Sequence, residues 1–179
     1  MPRYVAFLRA INVGGHTVKM TDLRASFGAL GFEAVESYIA SGNVIFESSD
    51  RDEGKLERAI ERELEADFGY PIETFIRSIR ELAEIAKCDP FGHRHSRADD
   101  HGTYVAFLGR KPTTEATQRL AALATKDDAF AVVGREAYWL RRGGIGASRF
   151  SGGLLEKTLG MPATLRGLPT ITRIAGKYG

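Results

Sequence analysis

One cysteine in 179 residues, Cys88, leaves no disulfide within the chain and excludes every structural metal site built on cysteine. A single thiol fits a reducing compartment. Long apolar runs are missing too. The longest, such as YVAFL at residues 4–8, fall far short of the roughly 18 residues that cross a bilayer. The opening MPRYVAFLRAIN has two arginines, Arg3 and Arg9, and no cleavable signal pattern. The expectation is a cytoplasmic protein without a membrane partner. The dinucleotide fingerprint G-x-G-x-x-G, the phosphate-binding P-loop and the nucleophile elbow G-x-S-x-G are absent as well. No cofactor is therefore expected, and no catalytic residue is marked.

The composition is that of a globular protein, with 43% apolar and 27% charged residues. A chain of this length can bury about 70% of its unfolded surface without staples. The formal net charge is only +2, but its distribution is uneven. Residues 52–86 hold ten acids against five bases, whereas residues 140–179 hold seven bases and a single acid, Glu156. A basic stretch of this kind suits an anionic partner, nucleic acid included, or makes the chain an interaction module for an acidic protein such as the 52–86 face of another copy, although a solvated face has the same composition.

Five residues recur at a spacing of one hundred: YVAFL at 4–8 and again at 104–108. Each copy opens a similar order of elements. After the first, TDLRASFGALG carries Leu23, Phe27 and Leu30 at helical spacing. EAVESYIASGNVIFES then divides at Ser41-Gly42-Asn43 into a hairpin. A second helix is expected from Asp50 through Leu56, Ile60, Leu64 and Phe68, and PIETFI supplies a fourth strand. Ser78 with Glu81 forms a capping box that opens a connecting helix. After the second copy come a helix from about Thr113, a hairpin about Gly134-Arg135, the helix LLEKTLG and the closing helix LPTITRIAGKY; a final strand is not marked. The expected fold is α+β: two ferredoxin-like β-α-β-β-α(-β) subdomains in tandem with a C-terminal helix. The divisions are residues 1–78, a connecting helix and polar linker over 79–102, and 103–179.

Two segments have the chemistry of an anion site. Arg9, Asn12, Gly14, Gly15, His16 and Lys19 stand where a strand gives way to a helix, so that backbone amides, a helix dipole and cations can converge on one negative group. GGIGASRFSGGLLEK contributes Gly144, Ser148 and Arg149 ahead of another helix, and Arg166 follows in the basic stretch. His16 is the candidate acid or base if the ligand is a phosphate ester that the protein cleaves, with Arg9 and Arg149 as clamps. His93, His95 and His101 lie near Asp89, Asp99 and Asp100, but in a polar, glycine-bearing stretch rather than on a strand, so no metal site is expected. Tyr104, Phe107, Tyr138 and Trp139 could stack bases on an open sheet face, yet their spacing departs from the RNA-binding pattern and favours core packing or a contact between the sheets.

LRAINVGG, YIASGNVIF, the DPF turn and GIGASRFSGGLLEKTLGMPATLRGLPT, in this order, resemble the bacterial family called domain of unknown function 1697. The resemblance implies a two-subdomain α+β fold and carries no activity, cofactor or catalytic residue. Members commonly place Asn-Trp where this chain has Gly167-Leu168.

Overall fold

A computed structural model describes residues 1–11, 15–39, 42–92, 102–142 and 149–179. The chain is α+β, with two four-stranded antiparallel sheets that repeat one order of elements. The first comprises β1 (Arg3–Leu8), α1 (Met20–Ala29), β2 (Glu33–Ser37), β3 (Asn43–Glu47), α2 (Glu53–Phe68) and β4 (Thr74–Ser78). After α3 (Ile79–Lys87) come β5 (Thr103–Leu108), α4 (Thr114–Ala121), β6 (Asp128–Val133), β7 (Glu136–Arg141), α5 (Gly152–Leu159) and β8 (Ala163–Gly167), and α6 (Leu168–Tyr178) ends the chain. The strand orders β2-β3-β1-β4 and β6-β7-β5-β8 are the same order twice, that of tandem ferredoxin-like subdomains. By contacts the chain divides into Met1–Ala83 with Tyr178–Gly179, and Glu84–Lys177.

Alternation sets the core of each unit. In β1, Tyr4, Ala6 and Leu8 join Leu23 and Phe27 of α1 and Leu56, Ile60 and Leu64 of α2 in one buried cluster. In β5, Ala106 and Leu108 meet Ala116 and Leu120 of α4 and Leu155 and Leu159 of α5. Each fully buried Leu, Ile or Phe contributes roughly 1.5–3 kcal/mol. The opposite strand faces are buried as well: Val5, Phe7, Ile45, Val105, Phe107 and Tyr138 are all at or near zero exposure. Phe107, Tyr138 and Trp139 therefore do not form an open platform for bases.

Two features differ from the sequence expectation. The second helix starts at Glu53, because Asp52 and not Asp50 accepts the Lys55 amide (3.0 Å); Asp50 instead accepts the amide of Asp52 (3.0 Å) and pairs with the Lys55 ammonium (2.6 Å). The strand left unmarked in the second half exists as β8, hydrogen-bonded to β5. Gly167 ends β8 and Leu168 opens α6, so the family's Asn-Trp position is a strand-to-helix junction. The Ser78–Glu81 capping box forms as read: Glu81 N donates to Ser78 Oγ (3.2 Å) and Ser78 N to Glu81 Oε2 (2.9 Å).

An open sheet leaves the backbone groups of its outer strands unpaired, and such edges recruit other strands unless blocked. On β4 the outward amides are taken by carboxylates: Thr74 N by Glu61 (2.9 Å), Ile76 N by Glu57 (2.8 Å) and Ser78 N by Glu81. The outward carbonyl of Ile76 accepts from the fully buried Arg77 (2.7 Å). On β8, Glu156 accepts the Ala163 amide (3.0 Å), and Arg166 donates to Leu165 O (2.9 Å). The single acid of the basic C-terminal stretch is thus an edge guard, as are part of the acids of α2.

Replacing Glu57 with alanine should lower the unfolding free energy by about 1–3 kcal/mol, since it strips a charge-assisted bond from a strand amide, whereas Glu57→Gln should retain most of it. Urea denaturation of both variants checks this.

Candidate functional site

At the end of the first sheet where β1 terminates, three connections meet: residues 9–19 to α1, the turn between β2 and β3, and residues 69–73 between α2 and β4. Backbone bonds tie them together. Leu8 N donates to Gly42 O (2.8 Å), and Arg9 N to Glu73 O (2.9 Å). The buried Asn43 side chain donates to Tyr38 O (3.2 Å) and Ile39 O (3.4 Å), closing the turn. A Cβ on Gly42, whose φ is +80°, would lie 2.7 Å from Ile11 Cγ2 and 3.0 Å from Leu8 Cβ. Leu8 and Ile11 are therefore packed closely against the Gly42 backbone.

This end carries unusual backbone. Ala10 (φ 55°) and Ile39 (φ 50°) both occupy the left-handed region, and a β-branched residue does so at a cost of order 1–3 kcal/mol. Ile39 is nonetheless 46% exposed. Arg9, placed just past β1 at the rim, pairs through NH1 with Glu73 Oε2 at 3.1 Å. The exposed His16 ring stacks on Tyr70, with centroids 3.9 Å apart and planes 25° from parallel. Burial of Val18 anchors the approach to α1. Lys19 is the N-cap residue, in the extended conformation usual there (φ −73°, ψ 139°), but its side chain makes no capping bond. By contrast, Asp52, Thr113 and Ser151 cap α2, α4 and α5.

Arg9, Gly15, His16 and Lys19 thus share one end of the first unit, while Asn12 and Gly14, from the same connection, lie outside the described residues. Glu61 of α2 and Tyr70 and Glu73 of the α2–β4 connection border the site and were not singled out from the sequence, because only the antiparallel pairing of β1 with β4 delivers them. Burial raises the Glu61 carboxyl above its ordinary value, the Thr74 amide opposes that, and the charge of Glu73 adds to it.

The second segment resolves differently. Gly144 and Ser148 lie outside the described residues, as do His93, His95 and His101. Arg149 is exposed and lines a cleft of about 310 Å³ with Leu123, Lys126, Asp127 and Phe150. Ser151 is the cap of α5, accepting from Leu154 N (3.2 Å). Arg166 turns back on its own strand, donating to Thr164 Oγ1 (2.7 Å) and Leu165 O; burial pushes its guanidinium down to about 10. Nor is the Arg149 segment the counterpart of the first site. It joins β7 to α5, at the far end of its sheet; the counterpart of the β1–α1 connection is Gly109–Thr113, with exposed Arg110 and Lys111. The position of those two just after the second YVAFL was the signal that marks them.

Gly42→Ala should destabilise the protein by more than Gly69→Ala, which has the same φ of +80° but open space around it and should cost about 1 kcal/mol. Comparing their urea midpoints checks the close approach. For Glu61, a raised folded-state pKa means the native state holds a proton more tightly than the unfolded chain. Its contribution is then favourable at low pH and is lost as pH rises from the ordinary value of 4.5 through the folded one. Glu61→Gln, which keeps an acceptor for Thr74, should flatten that decline in a stability-versus-pH series, and an unchanged slope would contradict the assignment.

A family model described as "Protein of unknown function (DUF1697)" matches residues 1–138, which include LRAINVGG and SGNV and stop short of the glycine-rich segment before α5. No curated protein matches the chain. A solved structure of a conserved bacterial protein from Streptococcus pneumoniae is similar over 99% of this chain and 98% of that one, with a TM-score of 0.73 and 25% identity. Matched by that family model over residues 1–138 of its 179, the chain belongs to the DUF1697 family.

Proposed function

We propose that the chain binds an anionic ligand, a phosphorylated small molecule, at the β1–α1 end of its first subdomain, with Arg9, Gly15, His16 and Lys19 as its contacts and Asn12 and Gly14 from the same connection. One observation carries this reading: α1 begins at a lysine with no side-chain acceptor for its first amides, whereas the corresponding helix of the second subdomain is capped by Thr113. A helix N-terminus with a cation in place of a cap is complementary to an external anion, which supplies the missing acceptor and meets the dipole. The exposed His16, held flat on Tyr70, and the Arg9 guanidinium add donors beside it.

Nucleic acid is the less supported anion. Single-stranded bases stack on exposed aromatic faces, and Phe107, Tyr138 and Trp139 are buried. A phosphate-ester enzyme needs an activated partner for His16; among the described residues the ring's recorded contact is Tyr70.

Lys19→Ser separates the reading from its rivals. The serine should cap α1, raising the stability of the ligand-free protein by about 0.5–1 kcal/mol. It should also reduce the thermal shift given by nucleotides and sugar phosphates, because the added cap competes for the amides and a cation is lost. A variant that is stabilised but keeps the full ligand-induced shift, or a wild-type protein that shows no shift at millimolar phosphate esters, would overturn the proposal.

A further inference from the structure

Of the four strand edges, three are blocked by the chain itself. Carboxylates and Arg77 occupy β4, Glu156 and Arg166 occupy β8, and β2 is broken by a register shift between Glu33 and Glu36, with Ala34 at φ 49°. The fourth, β6, is different. Its six residues, DAFAVV, pair with β7 in unbroken register and carry no charge from Ala129 to Val133.

The register says which backbone groups face outward. Arg142 N donates to Asp127 O (2.7 Å), so Asp127, Ala129, Ala131 and Val133 turn their amides and carbonyls toward β7. Those of Asp128, Phe130 and Val132 face away. Thr125 uses the pair on Asp128: Thr125 N donates to Asp128 O (3.0 Å), and Asp128 N donates to Thr125 Oγ1 (3.1 Å). Among the described residues no hydrogen bond engages the outward amides and carbonyls of Phe130 and Val132. Val133, at the end of the strand, is 44% exposed.

We propose that the bare edge of β6 pairs antiparallel with β6 of a second copy of this chain, about a two-fold axis at Ala131. The occupant follows from the edges. In a second copy β2, β4 and β8 are blocked in the same way, so β6 against β6 is the edge pairing left open, and it closes both exposed edges in one isologous contact. Centred on Ala131, the register sets Phe130 opposite Val132 of the partner subunit and Val132 opposite Phe130 of the partner subunit. These two pairs exchange both bonds and use every outward group of Phe130 and Val132. The central pair is Ala131 against Ala131 of the partner subunit, where two methyl groups fit the close spacing of a non-hydrogen-bonded pair. No like charges oppose each other along the seam. A seam this short lies below the roughly 1,000 Å² of a stable interface, so the dimer is weak and forms at high concentration.

Sedimentation velocity from about 1 μM to about 1 mM, the range in which small interfaces associate, should show the mass moving from one chain toward two. A131K, which opposes two ammonium groups across the axis, should weaken that association at least tenfold. A cysteine pair reads the register independently of any effect of lysine on folding. In a Cys88→Ser background, A131C should cross-link under mild oxidant, because its pair sits about 4.5 Å apart between Cα atoms, whereas A129C, opposite Val133 of the partner subunit, should not. A constant monomer mass over the whole range overturns the proposal. So does a dimer that A131K leaves intact, or one in which A129C cross-links as fast as A131C.

Discussion

The backbone groups at the margins of two small open sheets are the constraint around which much of this protein is organised. A four-stranded sheet satisfies its inner strands by pairing and leaves two rows of donors and acceptors outside. On β4 and β8 such groups are met by charged side chains of the helices and strands beside them. Glu57 and Glu61, one turn apart on α2, reach the alternate amides of β4; Glu156 on α5 does the same for β8; Arg77 and Arg166 fold back onto carbonyls of the strands that carry them. Charge that looks like surface solvation in the sequence is in part backbone chemistry.

The same pairing builds the candidate site. β1 runs between β3 and β4, both antiparallel to it, so the chain leaves β1 at the point where it enters both neighbours. The first connection is therefore held against the Gly42 turn on one side and Glu73 on the other. Left-handed Ala10 and Ile39 persist because the surroundings over-determine them: Asn43 bonds the Ile39 carbonyl and Arg9 N is fixed to Glu73 O. The second unit has the same plan with different contents, a capped helix and Arg110 and Lys111, so repetition of the fold does not repeat the chemistry.

Much of the fold was legible. Helical spacing marked α1 and α2, the Ser78–Glu81 box marked the start of α3, and the twin YVAFL segments marked the repeat, because these signals act between residues close in sequence. β8 was not legible: ATLRG alternates over only five residues, too short a signal by itself, and its strand state is imposed by pairing with β5. The start of α2 shifted because Asp50 and Asp52 are both competent caps, and which one serves depends on where β3 releases the chain.

For the site, the sequence determined which residues have suitable chemistry and that Arg9, Gly15, His16 and Lys19 lie within one connection. Only the tertiary structure decided how each charge is partnered. Arg166 and Arg9 are alike as sequence, yet one is folded onto its own strand and the other stands at a rim beside Glu73. The reason is physical: local propensity depends on neighbours a few residues away, whereas the partner of a charge is set by strand register, which joins residues dozens of positions apart.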